Sequence, residues 1–315
     1  MAFKELSSCP FLSSTAKWKS MNPPPSQGPT PVRCPGLRAW IDASHPFAKA
    51  LEAVLPEIVA IPSGFAPIPT RSRSRRVWEG KLDGIPFPVV VKQGWVDPAY
   101  PLDRRIARRV SLACHNPFRH ALENSIRLAA AGFPAARSIL SWKKHSGLFP
   151  VEEGILYPKV EASGSLRRYL HDPATGNPFD RRLHLPPETL AALGRYLRTL
   201  TEAGFVHLDP TPQNILLRPG AADPPTEADF IFIDVEAFQP LPAAPDTPRA
   251  RRARALSLSP LLPYLPSADL PLFAEHYALP SESPSAWLPL LHLLHRNPVL
   301  RLPVRLSLRR LSRFF

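Results

Sequence analysis

Glycine is the first scarcity of this chain, with 14 residues against 42 prolines in a length of 315. So few glycines leave little backbone free to turn left-handed. So many prolines predict short helices, polyproline-like connections and at least one disordered tail. Cysteine is scarce as well. Cys9, Cys34 and Cys114 are odd in number and lack metal-ligand spacing, which argues against a disulfide framework and for free thiols in a reducing compartment. Long apolar runs are missing too: no stretch reaches the roughly eighteen residues needed to cross a bilayer, and Met1–Pro10 lacks the apolar core of a secretion signal. A cytoplasmic protein is expected. Acidic residues are outnumbered, 26 Asp and Glu against 39 Lys and Arg, giving a formal charge of +13 and a pI near 10.1. That excess points to nucleic acid, an anionic membrane surface or a phosphorylated substrate, unless arginine simply decorates solvated faces. No nucleic-acid motif accompanies it, so no nucleic-acid partner is expected. Its densest stretches are Arg71–Arg76 and Arg301–Phe315, the second alternating cationic and apolar residues as a segment lying on an anionic membrane would.

Three stretches follow one another. Residues 1–36 are expected to form a disordered or weakly ordered leader. Residues 37–156 predict a small lobe built on a sheet. It contains a short helical piece over Phe47–Val54, strands over Val77–Leu82 and Pro88–Gln93 joined by an Asp83-Gly84 turn, and a helix from about His120 to Ala131 closed by Gly132 and Pro134. Residues 157–315 predict a mainly helical lobe. A strand over Ile155–Val160 leads into it, Ser165 is placed to cap a short helix over Leu166–Leu170, and a longer helix runs from Pro187 to Ala203. Leu190, Leu193, Leu197 and Leu200 mark that helix's buried face. Apolar strands are expected at Ile215–Leu217 and Phe230–Ile233, and proline-interrupted helix from Gln239 on. The fold class is α+β, with an antiparallel-sheet N-lobe and a mainly helical C-lobe.

The chemistry is concentrated in Val206-His207-Leu208-Asp209-Pro210-Thr211-Pro212-Gln213-Asn214, followed twenty residues after its Asn by Asp234 at the end of an apolar run. Phosphoryl transfer asks little covalent work of a protein. It needs charge neutralisation, alignment, and a group to accept the acceptor hydroxyl's proton. Asp209 suits the last task. Asn214 and Asp234 offer hard oxygen ligands for a nucleotide-bound Mg²⁺. Lys92 ends the most apolar short run of the first half, as a phosphate-gripping lysine should, and Glu123 on the following helix is the acid available to hold it by an ion pair. Taken singly each residue has a plainer reading: a turn-forming Asp, a cap, an exposed Lys, a solvated Glu. Order and spacing together favour the site, while His207 is read as structural, packing under the strand.

Val89-Val90-Val91-Lys92, the helix Leu122 to Pro134, Gly204 to Asp209, Asn214-Ile215-Leu216-Leu217 and Ile233-Asp234 resemble the protein-kinase-like superfamily, and within it the bacterial lipopolysaccharide core kinases of Kdo and heptose. The resemblance covers about Arg71 to Phe238. It implies a two-lobed protein-kinase-like fold, ATP and Mg²⁺ as cofactors, Tyr157 and Val160 beside Lys92 and Glu123 in the nucleotide site, and a monomer. The implied acceptor is an anionic sugar-lipid at the cytoplasmic face of the inner membrane. Three departures stand out. No Gly-x-Gly-x-x-Gly precedes Lys92, leaving Arg76 or its neighbours to compensate. Leu208 replaces the usual Arg of protein kinases, which argues against regulation by a phosphorylated loop. The segment after Asp234 is short and proline-rich, which disfavours a protein substrate. Two alternatives remain: a small-molecule kinase of the aminoglycoside or choline type, and a non-catalytic pseudokinase binding module.

Overall fold

The computed structural model describes residues 28–70, 75–114, 116–147, 149–170 and 182–296. The expected leader over 1–27, most of the Arg71–Arg76 cluster and the basic segment 301–315 lie outside these residues. Residues 30–36, expected to belong to that leader, are part of a hairpin. Strand β1 (Thr30–Cys34) turns at Gly36, whose φ is +70°, and pairs with β2 (Leu37–Ile41), burying Val32 and Ala39. The two apolar inward positions of β1 and β2 are enough to dock an edge hairpin that composition alone marks as leader.

After β2 come helices α1 (Ala48–Ala53) and α2 (Leu55–Ala60), then strands β3 (Ala66–Ile68), β4 (Arg75–Gly80) and β5 (Val89–Trp95). Helices α3 (Leu102–Cys114) and α4 (Pro117–Ala130) precede β6 (Leu140–Ser146) and β7 (Phe149–Pro158). The seven strands form one antiparallel sheet in the order β1-β2-β6-β7-β5-β4-β3. Its two faces serve different cores. Val89 and Val91 of β5 and Leu156 of β7 pack with Leu51, Leu55 and Ile58 of α1 and α2, whereas Val90, Ile155 and Tyr157 join α4 and the second lobe. Side chains alternate along a strand, so Lys92 emerges on the same face as Val90, toward the interlobe cleft. At Gly154 the sheet tolerates no side chain, because a Cβ there would stand 2.1 Å from the fully buried Trp142 ring on the neighbouring strand.

Strand β7 ends at Pro158. Strand β8 (Gly164–Ser165) leads into a 3-10 turn whose first N–H groups are met by the Ser165 hydroxyl, which accepts from the Arg167 backbone. Helix α5 (Pro187–Glu202) buries Leu190, Leu193, Leu197 and Leu200 as their spacing requires, and deleting one such buried leucine side chain costs about 2–5 kcal/mol. Strands β9 (Phe205–His207), β10 (Ile215–Leu217), β11 (Phe230–Phe232) and β12 (Phe238–Pro240) form two small sheets, β11-β10-β8 and β12-β9. Helices α6 (Pro248–Leu258), α7 (Leu270–Tyr277) and α8 (Leu288–Arg296) complete the lobe. Much of the proline is explained here. It sits in the first turn of α2, α4, α5, α6 and α7, where its missing N–H has no partner to lose and its fixed φ suits the helix. Among the described residues no helix is long and apolar enough to cross a membrane.

Candidate active site

The loop after β9 folds largely on its own hydrogen bonds. Thr211 N–H donates to the Asp209 carbonyl at 2.8 Å and Asn214 N–H to the Thr211 carbonyl at 2.9 Å. The Asn214 side-chain amide donates to both the Asp209 carbonyl (2.9 Å) and its carboxylate Oδ2 (3.2 Å). His207 underpins this turn. The Asp209 N–H donates to its Nδ1 at 3.2 Å, so the ring proton is on Nε2, which donates to the Ile233 carbonyl, also at 3.2 Å. The imidazole stacks on Phe232 with centroids 4.2 Å apart, and burial drives its pKa down to about 4. A neutral, fixed ring is a structural part, as the sequence suggests.

Strand pairing carries the second acid to the first loop. β10 and β11 pair antiparallel with Ile215 opposite Phe232, so the residues just outside that pair, Asn214 and Ile233, also meet. The Ile233 N–H donates to the Asn214 carbonyl at 3.0 Å. Asp234 follows in the left-handed region at φ 65°, a conformation that Asp accepts more readily than most side chains. The chain there reverses into the 3-10 turn Val235–Ala237.

Lys92 reaches this turn from the other lobe. Its Nζ donates to Asp234 Oδ1 at 2.5 Å and to Glu236 Oε1 at 3.0 Å, and it lies 5.6 Å from the centroid of the Tyr157 ring. Burial by itself would lower the ammonium's pKa. The attraction of Glu236, followed by Tyr157 and Asp234, overrides it and holds Lys92 above the ordinary lysine range. Burial likewise works to raise Asp234, yet the charge and hydrogen bond of Lys92 take its pKa down to about 2. Glu236, with burial as the main cause and Asp234 beside it, lies above the ordinary carboxylate range.

Glu123 is the sequence expectation that fails. On α4 the buried face is Phe118, Ala121, Leu122, Ser125 and Leu128, with Asn124 donating to the Phe238 carbonyl at 2.9 Å. Glu123 falls on the opposite side of that period, where Arg119 Nε (2.9 Å) and His120 Nδ1 (3.2 Å) hold its carboxylate. The acid that holds Lys92 is Glu236, two residues after Asp234. Its signal in the sequence is the Asp-x-Glu spacing after the apolar strand. Arg75, at 3.7 Å from Glu236 Oε1, is the basic group of the β4 edge that points inward, whereas Arg76 stacks outward over Trp95 at 3.6 Å. Tyr157 faces the cleft with Lys92, and Val160, just past β7, packs partly buried against the second-lobe core.

The donor set fits a hard divalent cation. Asp234 is held ionised, the Asn214 amide has one ligating atom, its oxygen, and Asp209 is hydrogen-bonded to that same amide. Among the described residues no group of three or more His, Cys, Asp and Glu could hold a metal unaided. Two protein ligands, with phosphate oxygens and water completing the sphere, is the pattern of Mg²⁺ bound together with a nucleotide.

A sheet lobe presenting a lysine to a helical lobe that carries His-x-Asp, Asn and a strand-end Asp defines a protein-kinase-like phosphotransferase. The sequence model of the lipopolysaccharide kinase (Kdo/WaaP) family matches residues 118–277, just over half the chain, and the chain belongs to that family. It is thus a kinase acting on an alcohol group. A solved structure described as WaaP in complex with acyl carrier protein matches with a TM-score of 0.52 at 19% identity, over 82% of this chain and 97% of that one. At that identity the likeness concerns the fold. The Cydia pomonella granulovirus kinase PK-1 matches more loosely, with a TM-score of 0.31 at 15% identity over 62% of this chain and 60% of that one. No curated protein sequence matches.

Proposed function

We propose that this kinase transfers the γ-phosphoryl group of ATP to a hydroxyl of a lipopolysaccharide core sugar, Kdo or heptose, at the cytoplasmic face of the inner membrane. The observation that carries the reading is convergence. Lys92 from the sheet lobe meets Asp234 at 2.5 Å, and the strand pairing beneath sets Asp234 beside Asn214 and hence beside Asp209. In this reading Asp209 accepts the proton of the attacking hydroxyl, and its hydrogen bond from Asn214 fixes the carboxylate's orientation. Asn214 and Asp234 would hold Mg²⁺, which when bound neutralises charge on the phosphates. Lys92 would grip phosphate oxygens, with Glu236 rather than Glu123 holding its ammonium in position. The β4 edge carries Arg75 where a glycine-rich loop is lacking, so a cationic side chain takes over charge that backbone amides supply elsewhere. Tyr157 and Val160 would border the nucleotide base.

The excess of basic residues suits an anionic acceptor better than the acidic pocket expected of an aminoglycoside-type kinase. Because the WaaP structure contains an acyl carrier protein, such a carrier is the first protein partner to test by co-purification. The deciding experiment incubates the purified chain with Mg²⁺, labelled ATP and core sugar-lipid, beside an Asp209→Asn variant. Label in the sugar, absent with the variant, supports the reading. No transfer to any core acceptor by a chain that still binds ATP would leave the binding-module reading standing instead.

A further inference from the structure

Helix α3 carries a feature that neither the catalytic site nor the core uses. Leu102, Ile106 and Val110, each four residues from the next, are 68%, 53% and 52% exposed, and Ala113 extends the same side of the helix. Large apolar side chains exposed to this degree are few in the described structure, and three of them share this one stripe. Its cause is local. The helix docks on β7 through its other side, where Leu112 is buried, Arg108 pairs with Glu153 at 3.5 Å, and the Leu112 carbonyl accepts from the Lys143 ammonium at 2.6 Å. Among the described residues that footing leaves no protein surface against the stripe.

The charges beside it choose among possible occupants. In the 13 residues of α3 there are four arginines and one acid, Asp103. Arg108 turns inward to Glu153. Arg109 and, further round, Arg105 fall along one edge of the stripe, Asp103 lies at the other edge and Arg104 nearly opposite; among the described residues neither Arg105 nor Arg109 makes an ion pair. An apolar stripe about 12 Å long, bordered along one edge by cations on a helix too short to span anything, is the composition of a helix lying in a bilayer interface. Guanidinium groups at its edge meet phosphate headgroups while the leucine, isoleucine and valine enter the acyl boundary.

We propose that α3 is the element by which this protein docks on an anionic lipid bilayer, with Leu102, Ile106 and Val110 inserted and Arg105 and Arg109 on the headgroups. The position is serviceable. Arg108 ties α3 to β7 beside Gly94, one residue from the β5 position that pairs with Arg76 and two from Lys92, so the inserted face is built onto the lobe that frames the cleft.

The test is co-sedimentation of the full chain with vesicles of phosphatidylcholine alone or with about one third phosphatidylglycerol. The wild type is expected to bind the anionic vesicles and to lose binding as salt rises, through screening of the arginines. Leu102→Ser/Ile106→Ser/Val110→Ser should weaken partition roughly a hundredfold, since each exposed side chain would lose most of a transfer from water. An Arg105→Gln/Arg109→Gln variant should lose the preference for anionic over neutral vesicles and retain its melting temperature, which separates lost docking from lost folding. Undiminished vesicle binding by the triple-serine variant overturns the proposal. So does a wild type that ignores vesicles and instead holds acyl carrier protein through this stripe. Neither readout needs turnover, so failure here leaves the kinase reading to its own assay, and failure there leaves the docking surface to this one.

Discussion

Two buried ion clusters in this protein are built on opposite terms. In the second lobe Glu282 is closed on all sides. Its Oε1 accepts from Arg251 Nε and Arg254 Nη1 at 3.0 Å each, and its Oε2 from Arg254 Nη1, the Leu279 N–H and Trp287 Nε1 at 3.0–3.1 Å. The Arg254 guanidinium, with no exposed surface, lies near the rings of Tyr277 and Trp287, 5.1 and 4.7 Å from their centroids. At the cleft, one ammonium serves two carboxylates. Glu236 keeps a buried Oε2 without a partner, and Asp234 occupies a left-handed backbone position. The first arrangement has donors for both oxygens and joins α6 to the segment before α8, a strut within one lobe. The second draws on two lobes, leaves one carboxylate oxygen without a donor and holds its more exposed member, Asp234, in a left-handed backbone position. A carboxylate with donors on both oxygens stiffens a fold, even though Arg254 Nε beside it has no partner, and one left open between two lobes is placed where a ligand is received.

Breaking the open cluster should cost activity and little else. Asp234→Asn removes the ligand charge and keeps a side chain that tolerates the left-handed region. Turnover is therefore expected to fall by a factor on the order of a thousand or more, with the melting temperature within a few degrees of wild type. Steady-state kinetics beside thermal denaturation reads both, and retained turnover would remove Asp234 from the metal site. The closed cluster should behave in the opposite way. Glu282→Ala leaves Arg254 buried and uncompensated, for a loss of about 3–5 kcal/mol in urea unfolding, while the residual folded enzyme keeps its turnover number. A stable Glu282→Ala protein would contradict the strut.

The sequence made one cluster legible and hid the other. His207, Asp209, Asn214 and Asp234 are readable because a loop and a strand end fix them through short spacings, and the β10–β11 register brings them together almost without help from the rest of the chain. Lys92 is readable from the alternation along β5. Glu123 misled because a helix of 14 residues offers several faces, and only its packing against Phe238 decides which is inward. The hairpin of β1 and β2 was masked by prolines and serines around it. The Arg254–Glu282 pair spans 28 residues with no periodic cue, and buried charges are the last thing composition would predict.

Glu236 in the cluster and Glu123 on the surface of α4 should answer very differently to loss of charge. Glu236→Gln should lower turnover by about ten- to a hundredfold, chiefly in the rate constant at saturating ATP, because Lys92 loses its more buried partner while Asp234 retains its charge. Glu123→Gln, touching only Arg119 and His120 at the helix surface, should stay within about twofold, as an exposed pair contributes little. Equal losses in the two variants would restore α4 as the holder of Lys92.

The smallest effect concerns Glu153, a third buried acid, whose Oε2 also lacks a partner. Burial lifts its pKa from 4.5 to about 7, against the pull of Arg108, then Lys143 and Arg75, with Glu236 adding to the lift. The folded protein thus keeps this proton over a range where the unfolded chain has released it, and wild-type stability falls as pH rises from 4.5 through about 7, by at most about 3 kcal/mol. His207 and His45, both lowered to about 4 by burial, act in the reverse sense: the unfolded chain takes up protons first, so stability falls as pH drops from 6.5 toward 4. The opposed slopes flatten the wild-type curve, and only a difference isolates Glu153. Unfolding free energies of Glu153→Gln minus wild type should therefore rise with pH across that window and level off beyond it. In a Glu236→Gln background the like-charge lift is gone, so the same rise should still begin near pH 4.5 but end at lower pH. An upper end that does not move would mean that Glu236 has no part in lifting Glu153, which then stands apart from the open cluster.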